Sequence, residues 1–252
     1  MDYYLFRQMF AQRSGRYDLI TSTLTDNGAD FFINAGQRWL DMQLSTGKMR
    51  AKNVQSVAAG TIKVYVAGLR SVSEVWAGLA ADGLTELAKA DLKYLRSLYG
   101  EQLGSVTQST PTWYAPAIFR PFPDTSTTTT LSGYYDVDDL ILPVTTIPVH
   151  YTYTGIVIAP PPDETYYISV YGTYFNPTLS ATYAAPTWTQ TTSFWLQVYP
   201  EVLLMAALRM LELFYRNSEG VKDWEAGIGS ALSGMDKDAA EEEMAGISEM
   251  GG

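Results

Sequence analysis

Residues 200–215, PEVLLMAALRMLELFY, constrain this chain more than any other stretch. Pro200 stands where a helix begins, since its missing N–H and fixed φ suit the first helical position. Leu203, Ala206, Ala207, Met210, Leu211 and Phe214 fall on one face at helical spacing. Val202, Leu204, Met205, Leu208, Leu213 and Tyr215 make the rest of the circumference apolar as well. Such a helix must be covered on nearly every side. At 16 residues, with Glu201, Arg209 and Glu212 inside it, the run is too short and too charged to span a bilayer. Protein must therefore cover it, and because one small domain rarely encloses a helix completely, a neighbouring copy of the chain is the natural cover.

The other helices are less apolar. Residues 2–13, DYYLFRQMFAQR, space Tyr4, Leu5, Met9 and Phe10 as a short first helix. Residues 26–44, DNGADFFINAGQRWLDMQL, offer Asp26 or Asn27 as a cap and Asp30 in the first turn. That second helix, 28–45, carries large aromatics at Phe31, Phe32 and Trp39. Residues 84–99, LTELAKADLKYLRSLY, line up Leu84, Ala88, Leu92, Leu95 and Tyr99, with acid early and base late, as the macrodipole favours. From Asn217 onward a helix carrying nine acids and two lysines is expected to be loosely held and to end in disorder.

Between these helices the period changes. Val54, Val57, Ile62, Val64 and Val66, with Gly60 between the runs, read as a β-hairpin, and Leu69–Trp76 as a third strand. Residues 111–192 read as β throughout. Pro116 marks an edge or bulged strand, and residues 124–140 form a Thr-rich polar loop. The expected fold class is α+β, with N- and C-terminal helices forming a small bundle around an inserted antiparallel β domain. The bundle takes residues 1–50, 80–105 and 193–234, and the β-rich part takes 51–79 and 106–192. Residues 235–252 are an acidic, flexible tail.

Charge and chemistry narrow the function. The first 100 residues hold 12 Lys and Arg against 9 Asp and Glu, and the remainder holds 5 against 18. So acidic a balance does not suit gripping phosphate backbones, although it suits a wall along which nucleic acid slides. The chain has no cysteine, which removes disulfides, thiolate nucleophiles and Cys-based metal sites. No basic leader followed by an apolar core opens it, so no signal peptide is expected.

The single histidine, His150, lies in a strand pattern, where a satisfied sheet residue is the ordinary reading. Asp136, Asp138 and Asp139 form an acidic loop without the glycine and distal glutamate of a calcium loop. GIGSALSG, 227–234, has the wrong spacing for a phosphate loop and reads as a small-residue turn that ends a helix. No nucleophile elbow, HExxH or Walker pattern occurs. No catalytic residue, cofactor or metal is expected, and the chain reads as a non-enzyme.

Of the 33 aromatics 18 are tyrosines, a residue suited to half-wet surfaces and subunit interfaces. The strand aromatics Trp113, Tyr114, Tyr166, Tyr167, Trp188 and Trp195 read as core and interface in preference to sugar-stacking groups. The early arginines, Arg7, Arg13, Arg16 and Arg38, read as solvated or paired with Asp18, Asp30 and Asp41.

Four stretches, RSGRYDL…DNGADFFINAGQRWLD, AAGTIKVYVAGLRSVSEVWAG, IAPPPDETYYISVYGTYFNPTLS and YPEVLLMAALRMLELFYRN, resemble the head-to-tail adaptor (connector) proteins of tailed bacteriophages. The resemblance spans most of the chain but not 121–150 or the last dozen residues, and the Thr-rich insertion has no counterpart in it. It implies a helical bundle with an inserted β domain, commonly twelve copies in a ring. Such a ring docks beneath the portal, extends the DNA channel without sequence-specific binding, and receives a tail or nozzle protein. It implies a place at the virion neck, reached from the host cytoplasm during assembly, and no membrane. Expected oligomer or portal contacts are Phe31, Phe32, Arg38, Trp39, Leu203, Met210, Phe214 and Trp224. The alternatives are another neck or tail ring such as a tail-completion protein, a carbohydrate- or receptor-binding β module, and, from the few chemical handles, an enzyme.

Overall fold

The computed structural model describes residues 1–43, 50–80, 83–100, 103–119 and 153–248. The fold is α+β. In chain order its elements are α1 (Tyr3–Ser14), α2 (Ala29–Gln43), β1 (Arg50–Val57), β2 (Lys63–Tyr65), β3 (Leu69–Gly78), β4 (Thr85–Glu86), β5 (Ala88–Lys89) and α3 (Leu92–Tyr99). They continue with β6 (Trp113–Phe119), β7 (Tyr153–Ala159), β8 (Tyr166–Tyr174), β9 (Ala181–Ala184), β10 (Thr187–Gln190), α4 (Phe194–Val198), α5 (Pro200–Phe214) and α6 (Ser218–Ser248). The chain divides into two compact units, residues 1–49 with 175–252, and residues 50–174.

The first unit is helical. Asp26 Oδ1 accepts from the backbone N–H of Gly28 and, at 2.8 Å, from that of Asp30, which caps α2. Gly15 closes α1 in the left-handed region at φ 68°, returning its N–H to α1 carbonyls. α5 lies at the centre, packed by α1, α2, α4 and α6. Leu203, Ala206, Ala207 and Leu211 are buried with Phe6, Phe10, Ile33 and Leu40. Each fully buried leucine here contributes about 1.5–3 kcal/mol. Leu204, Met205 and Met210 pack against the same core, and α6 supplies Ile228 and Met235. The chain therefore covers most of its own apolar helix. Among the described residues the apolar side chains of this run that stay exposed are Leu213, Phe214 and Tyr215 at its end, so the need for a neighbouring copy shrinks to that turn.

At Gly36 α2 touches α5: a Cβ there would stand 2.7 Å from the Ala206 carbonyl carbon and the Ala207 nitrogen. The hairpin β9–β10 also belongs to this unit, with Trp188 stacked on Tyr4 of α1 at 4.8 Å. α6 runs unbroken through 227–234 and on to Ser248. GIGSALSG is thus helix interior rather than a terminating turn, and the segment expected to be a flexible tail from 235 continues as helix to that point. Its Ala, Glu, Lys and Met content favours helix.

The second unit stacks two sheets and a helix. One sheet has the order β1-β8-β3-β4 and the other β2-β7-β6-β5. Val57, Val75, Ile168 and Val170 of the first meet Val64, Tyr114, Ile156 and Ile158 of the second in a shared core. The opposite face of the second sheet packs Val157, Ala115 and Ala117 under Leu95 of α3 and Leu103. The alternation of β7 between two cores explains its uninterrupted apolar run.

Three sequence expectations change here. β1 and β2 form no hairpin, because the turn at Gly60 carries the chain from one sheet to the other: β1 pairs β8 and β2 pairs β7. Residues 84–91 are not helical. Leu87 is buried and its N–H bonds Val75 O, and those of Ala88 and Ala90 bond Thr112 O and Tyr114 O. Asp91 then caps a shorter α3 by accepting from Tyr94 N–H at 2.6 Å. Finally, α3 and residues 83–100 belong to the β unit rather than the bundle, because Leu95 plugs that core. Among the described residues Pro116 pairs only on its β7 side, since β5 ends alongside Tyr114, and this matches the edge expectation.

Candidate functional site

Two exposed phenylalanines mark the helical unit. Phe31 starts α2 and Phe214 ends α5, and they are 69% and 66% exposed. Between them lies Phe32, buried and edge-on to both rings, at 5.2 Å from Phe31 and 5.6 Å from Phe214. Phe214 in turn meets Tyr215 at 5.5 Å, and the guanidinium of Arg16 lies 5.2 Å above Tyr215. A patch of this kind follows from the helix ends. Phe31 lies in the first turn of α2 and Phe214 in the last turn of α5, where each ring has Phe32 on one side and water on the other.

Arg16 is held by a bidentate pair to Asp18, Nε to Oδ1 at 2.7 Å and Nη2 to Oδ2 at 2.6 Å. That bond keeps the Asp18 carboxyl below its ordinary range. Exposed aromatics edged by a cation are the composition of a protein-contact surface.

A second cluster lies on α2, α5 and α6. The Arg209 guanidinium covers the half-buried Trp39 ring at 4.3 Å and donates from Nε and Nη2 to Glu225 Oε1 at 2.8 and 2.6 Å. Arg38 is exposed, its guanidinium 3.9 Å above Phe175. Met210 and Trp224 are partly buried against the core. The expected contact residues therefore separate. Phe31 and Phe214 share one patch, and Arg38 and Trp39 remain reachable. Leu203 is fully buried and Phe32 nearly so, which makes both core residues that no partner touches. Periodicity put Leu203 on the right face but could not say that the face pointed inward.

Two buried polar clusters brace this surface. Arg7, with no exposure, donates to both oxygens of Asp30 and to Leu24 O at 2.8 Å. The Tyr3 hydroxyl donates to Asp30 Oδ1 at 2.7 Å. Burial, then the Asp30 charge, pushes the Tyr3 phenol far up. Burial works against the charged form of Arg7, but its bonds to Asp30 outweigh that and raise it on balance. Asp41 accepts from Trp195 Nε1 at 2.7 Å and from Asn176 N and Nδ2. The sequence reading offered Asp18, Asp30 and Asp41 as partners for arginines; the first two serve so, while Asp41 tethers an indole and a loop. Arg209, a cation inside an apolar helix, is the position in the sequence that signals the pair with Glu225.

Of the aromatics read as core and interface, Tyr114 and Tyr166 are buried on strands, and Trp195, expected on a strand, is buried on helix α4. His150, Asp136, Asp138, Asp139 and the Thr-rich loop 124–140 lie outside the described residues. Among the described residues no group of three or more His, Cys, Asp or Glu is arranged to hold a metal ion. No helix among them is long and apolar enough to cross a membrane. The chain matches no protein-family model, and no curated protein matches it either.

Proposed function

We propose that this protein is a structural component of a tailed-phage virion: a head-to-tail adaptor that forms a ring beneath the portal, prolongs the DNA channel and gives the tail its seat. The four stretches of sequence resemblance are the starting point. The observation that carries the reading is the Phe31–Phe214–Tyr215 patch at the end of two packed helices, exposed yet rigidly backed by buried Phe32. Apolar surface of this kind is expensive to leave in water and suits burial against a protein partner. The α+β organisation, with the β unit encoded between two helical halves, is consistent with it. The acidic balance of the chain suits a conduit that nucleic acid passes without adhering.

The test is to mix the purified chain with the portal of its own particle and image the product. A ring of this chain stacked on the portal is expected, lost on Phe31→Ser with Phe214→Ser. Finding the protein at the distal tail tip of the intact particle overturns the proposal. Removing residues 236–252, which spares the buried Met235, is expected to weaken portal attachment while leaving the fold intact, and full attachment by the shortened chain removes that segment from the contact.

A further inference from the structure

The hairpin β9–β10 is exposed and uncharged at once. Every residue from Thr182 to Gln190 is exposed except the half-buried Trp188. Yet residues 165–200 contain no Asp, Glu, Lys, Arg or His. A sheet edge is a row of unpaired N–H and C=O groups, and proteins guard such rows with charges, prolines or bulges. The strands of the β unit follow that rule. β1 carries Arg50 and Lys52, β2 carries Lys63, β3 has two breaks in register, and the open side of β6 carries Pro116. β10, Thr187–Gln190, has no charge, proline or bulge.

The hydrogen bonds say which edge of the hairpin is open. Thr191 N–H donates to Ser180 O at 2.9 Å, so bonded pairs recur at Thr189 with Thr182 and at Thr187 with Ala184. The residues between them turn their N–H and C=O outward: Ala181 and Tyr183 on β9, Trp188 and Gln190 on β10. Arg7 closes the β9 side, its Nη2 donating to the O of buried Ala181 at 3.3 Å. Among the described residues nothing bonds the backbone of Trp188 or Gln190 on its outer side. The open edge is that of β10.

We propose that β10 pairs with β10 of a second copy of this chain, antiparallel about a two-fold axis. A row of alternating amide donors and acceptors is answered group for group by another extended backbone. With one open edge on the hairpin, a second copy offers the same edge in return, which makes the contact isologous. Trp188 stands opposite Gln190 of the second copy, and Gln190 opposite its Trp188, and each pair exchanges both N–H···O bonds. This register keeps every side chain on its own face of the sheet and sets the axis at Thr189. Thr189 then meets Thr189 of the second copy, flanked on both sides by Thr182, and Thr–Thr pairs across strands are favourable. Like residues can meet at the axis because they are uncharged. Two ribbons, each marginal alone, become one four-stranded sheet. Growth stops there, since the new outer edges are both β9 and Arg7 closes them. So short a seam falls below the roughly 1,200 Å² of stable interfaces, and the dimer comes apart on dilution. A two-fold seam has no place between neighbours in a cyclic ring, so the contact belongs to the free chain, and the inference stands apart from the adaptor reading.

The experiment follows the full chain by sedimentation across a concentration series, where monomer is expected to give way to dimer. Thr189→Lys and Thr189→Glu, at an exposed position, are each expected to weaken the dimer about tenfold or more with the melting temperature kept. An equal mixture of the two variants is expected to restore it, because opposite charges then face each other across the axis. The chain has no cysteine, so Thr189→Cys gives a second reading should the charged variants disturb the hairpin. Across the axis residue 189 forms a non-hydrogen-bonded pair, about 4.5 Å between Cα atoms, within disulfide reach. Thr189→Cys is expected to oxidise in air to a linked dimer, while Thr182→Cys, one strand further from the axis, stays unlinked. A monomer at every concentration, a dimer indifferent to Thr189→Lys, an unrestored mixture, equal linking of both cysteine variants, or β10 paired with a different protein instead overturns the proposal.

Discussion

Arg7 and Asp30 form a bidentate pair, Nε to Oδ1 at 2.7 Å and Nη2 to Oδ2 at 2.8 Å, that ties α1 to the first turn of α2. The arginine is wholly buried and its remaining donors reach the carbonyls of Leu24 and Ala181. The pair thus joins α1, the connecting turn and the β9 strand in one polar knot. Removing one partner strands a charge in the interior. Asp30→Asn is therefore expected to cost about 3–5 kcal/mol, measured by chemical denaturation. The exposed Arg16–Asp18 pair is the internal control, and Asp18→Asn is expected to change stability by no more than about 1 kcal/mol. Equal losses at both sites contradict the burial described for Arg7.

At Gly36 α2 lies directly against the backbone of α5, and any side chain there meets the Ala206–Ala207 backbone. Gly36→Ala is expected to destabilise by about 1–3 kcal/mol through overpacking. Gly229→Ala, in α6 with open space around it, is expected to stabilise by about 0.5–1 kcal/mol. Melting curves of the two variants should move in opposite directions, and a shared direction means the helices are not in contact at Gly36.

The exposed aromatics should separate stability from association. Phe31→Ser and Phe214→Ser are each expected to leave folding stability within about 1 kcal/mol, because most of each ring is already in water. Under the proposed adaptor role, association with the portal is expected to fall sharply, as seen by sedimentation of the mixture. Trp39→Ala, under the Arg209 guanidinium, is expected to cost about 1–3 kcal/mol instead. A large stability loss at Phe31 places that ring in the core and ends its role as a contact.

Alkaline pH should loosen the fold through two tyrosines. Burial pushes the Tyr174 phenol up to about 12, and burial with the nearby Asp30 pushes Tyr3 higher still. In the unfolded chain both titrate near 10. Above that pH the unfolded state holds fewer protons than the folded one, so stability falls as pH rises. The contribution is fully present below pH 10. For Tyr174 it is lost between about 10 and 12, and for Tyr3 the loss continues to higher pH. Denaturation midpoints across this window should decline in the wild type and decline less in Tyr3→Phe. A flat profile counts against buried phenols.

What the sequence determined by itself is the local structure of the helices. A cap at Asp26 or Asn27, Pro200 at a first turn and the apolar circumference of α5 are readable, because caps and the 3.6-residue period act within a few residues along one chain. The α+β class followed from the change of period.

Tertiary structure alone decided which strands are partners. Val57 and Val64 look like two arms of one hairpin, yet a single turn at Gly60 sends them to different sheets, because register is chosen by burial against distant residues such as Tyr166 and Ile156. Leu87 shows the same competition. A helical pattern ran through it, and a buried site with ladder hydrogen bonds outweighed a preference worth only tenths of a kcal/mol per residue. The surfaces were hidden for a related reason. Phe31 and Phe32 are chemically identical neighbours, and only the packing of α5 against α2 leaves one in water and puts the other in the core.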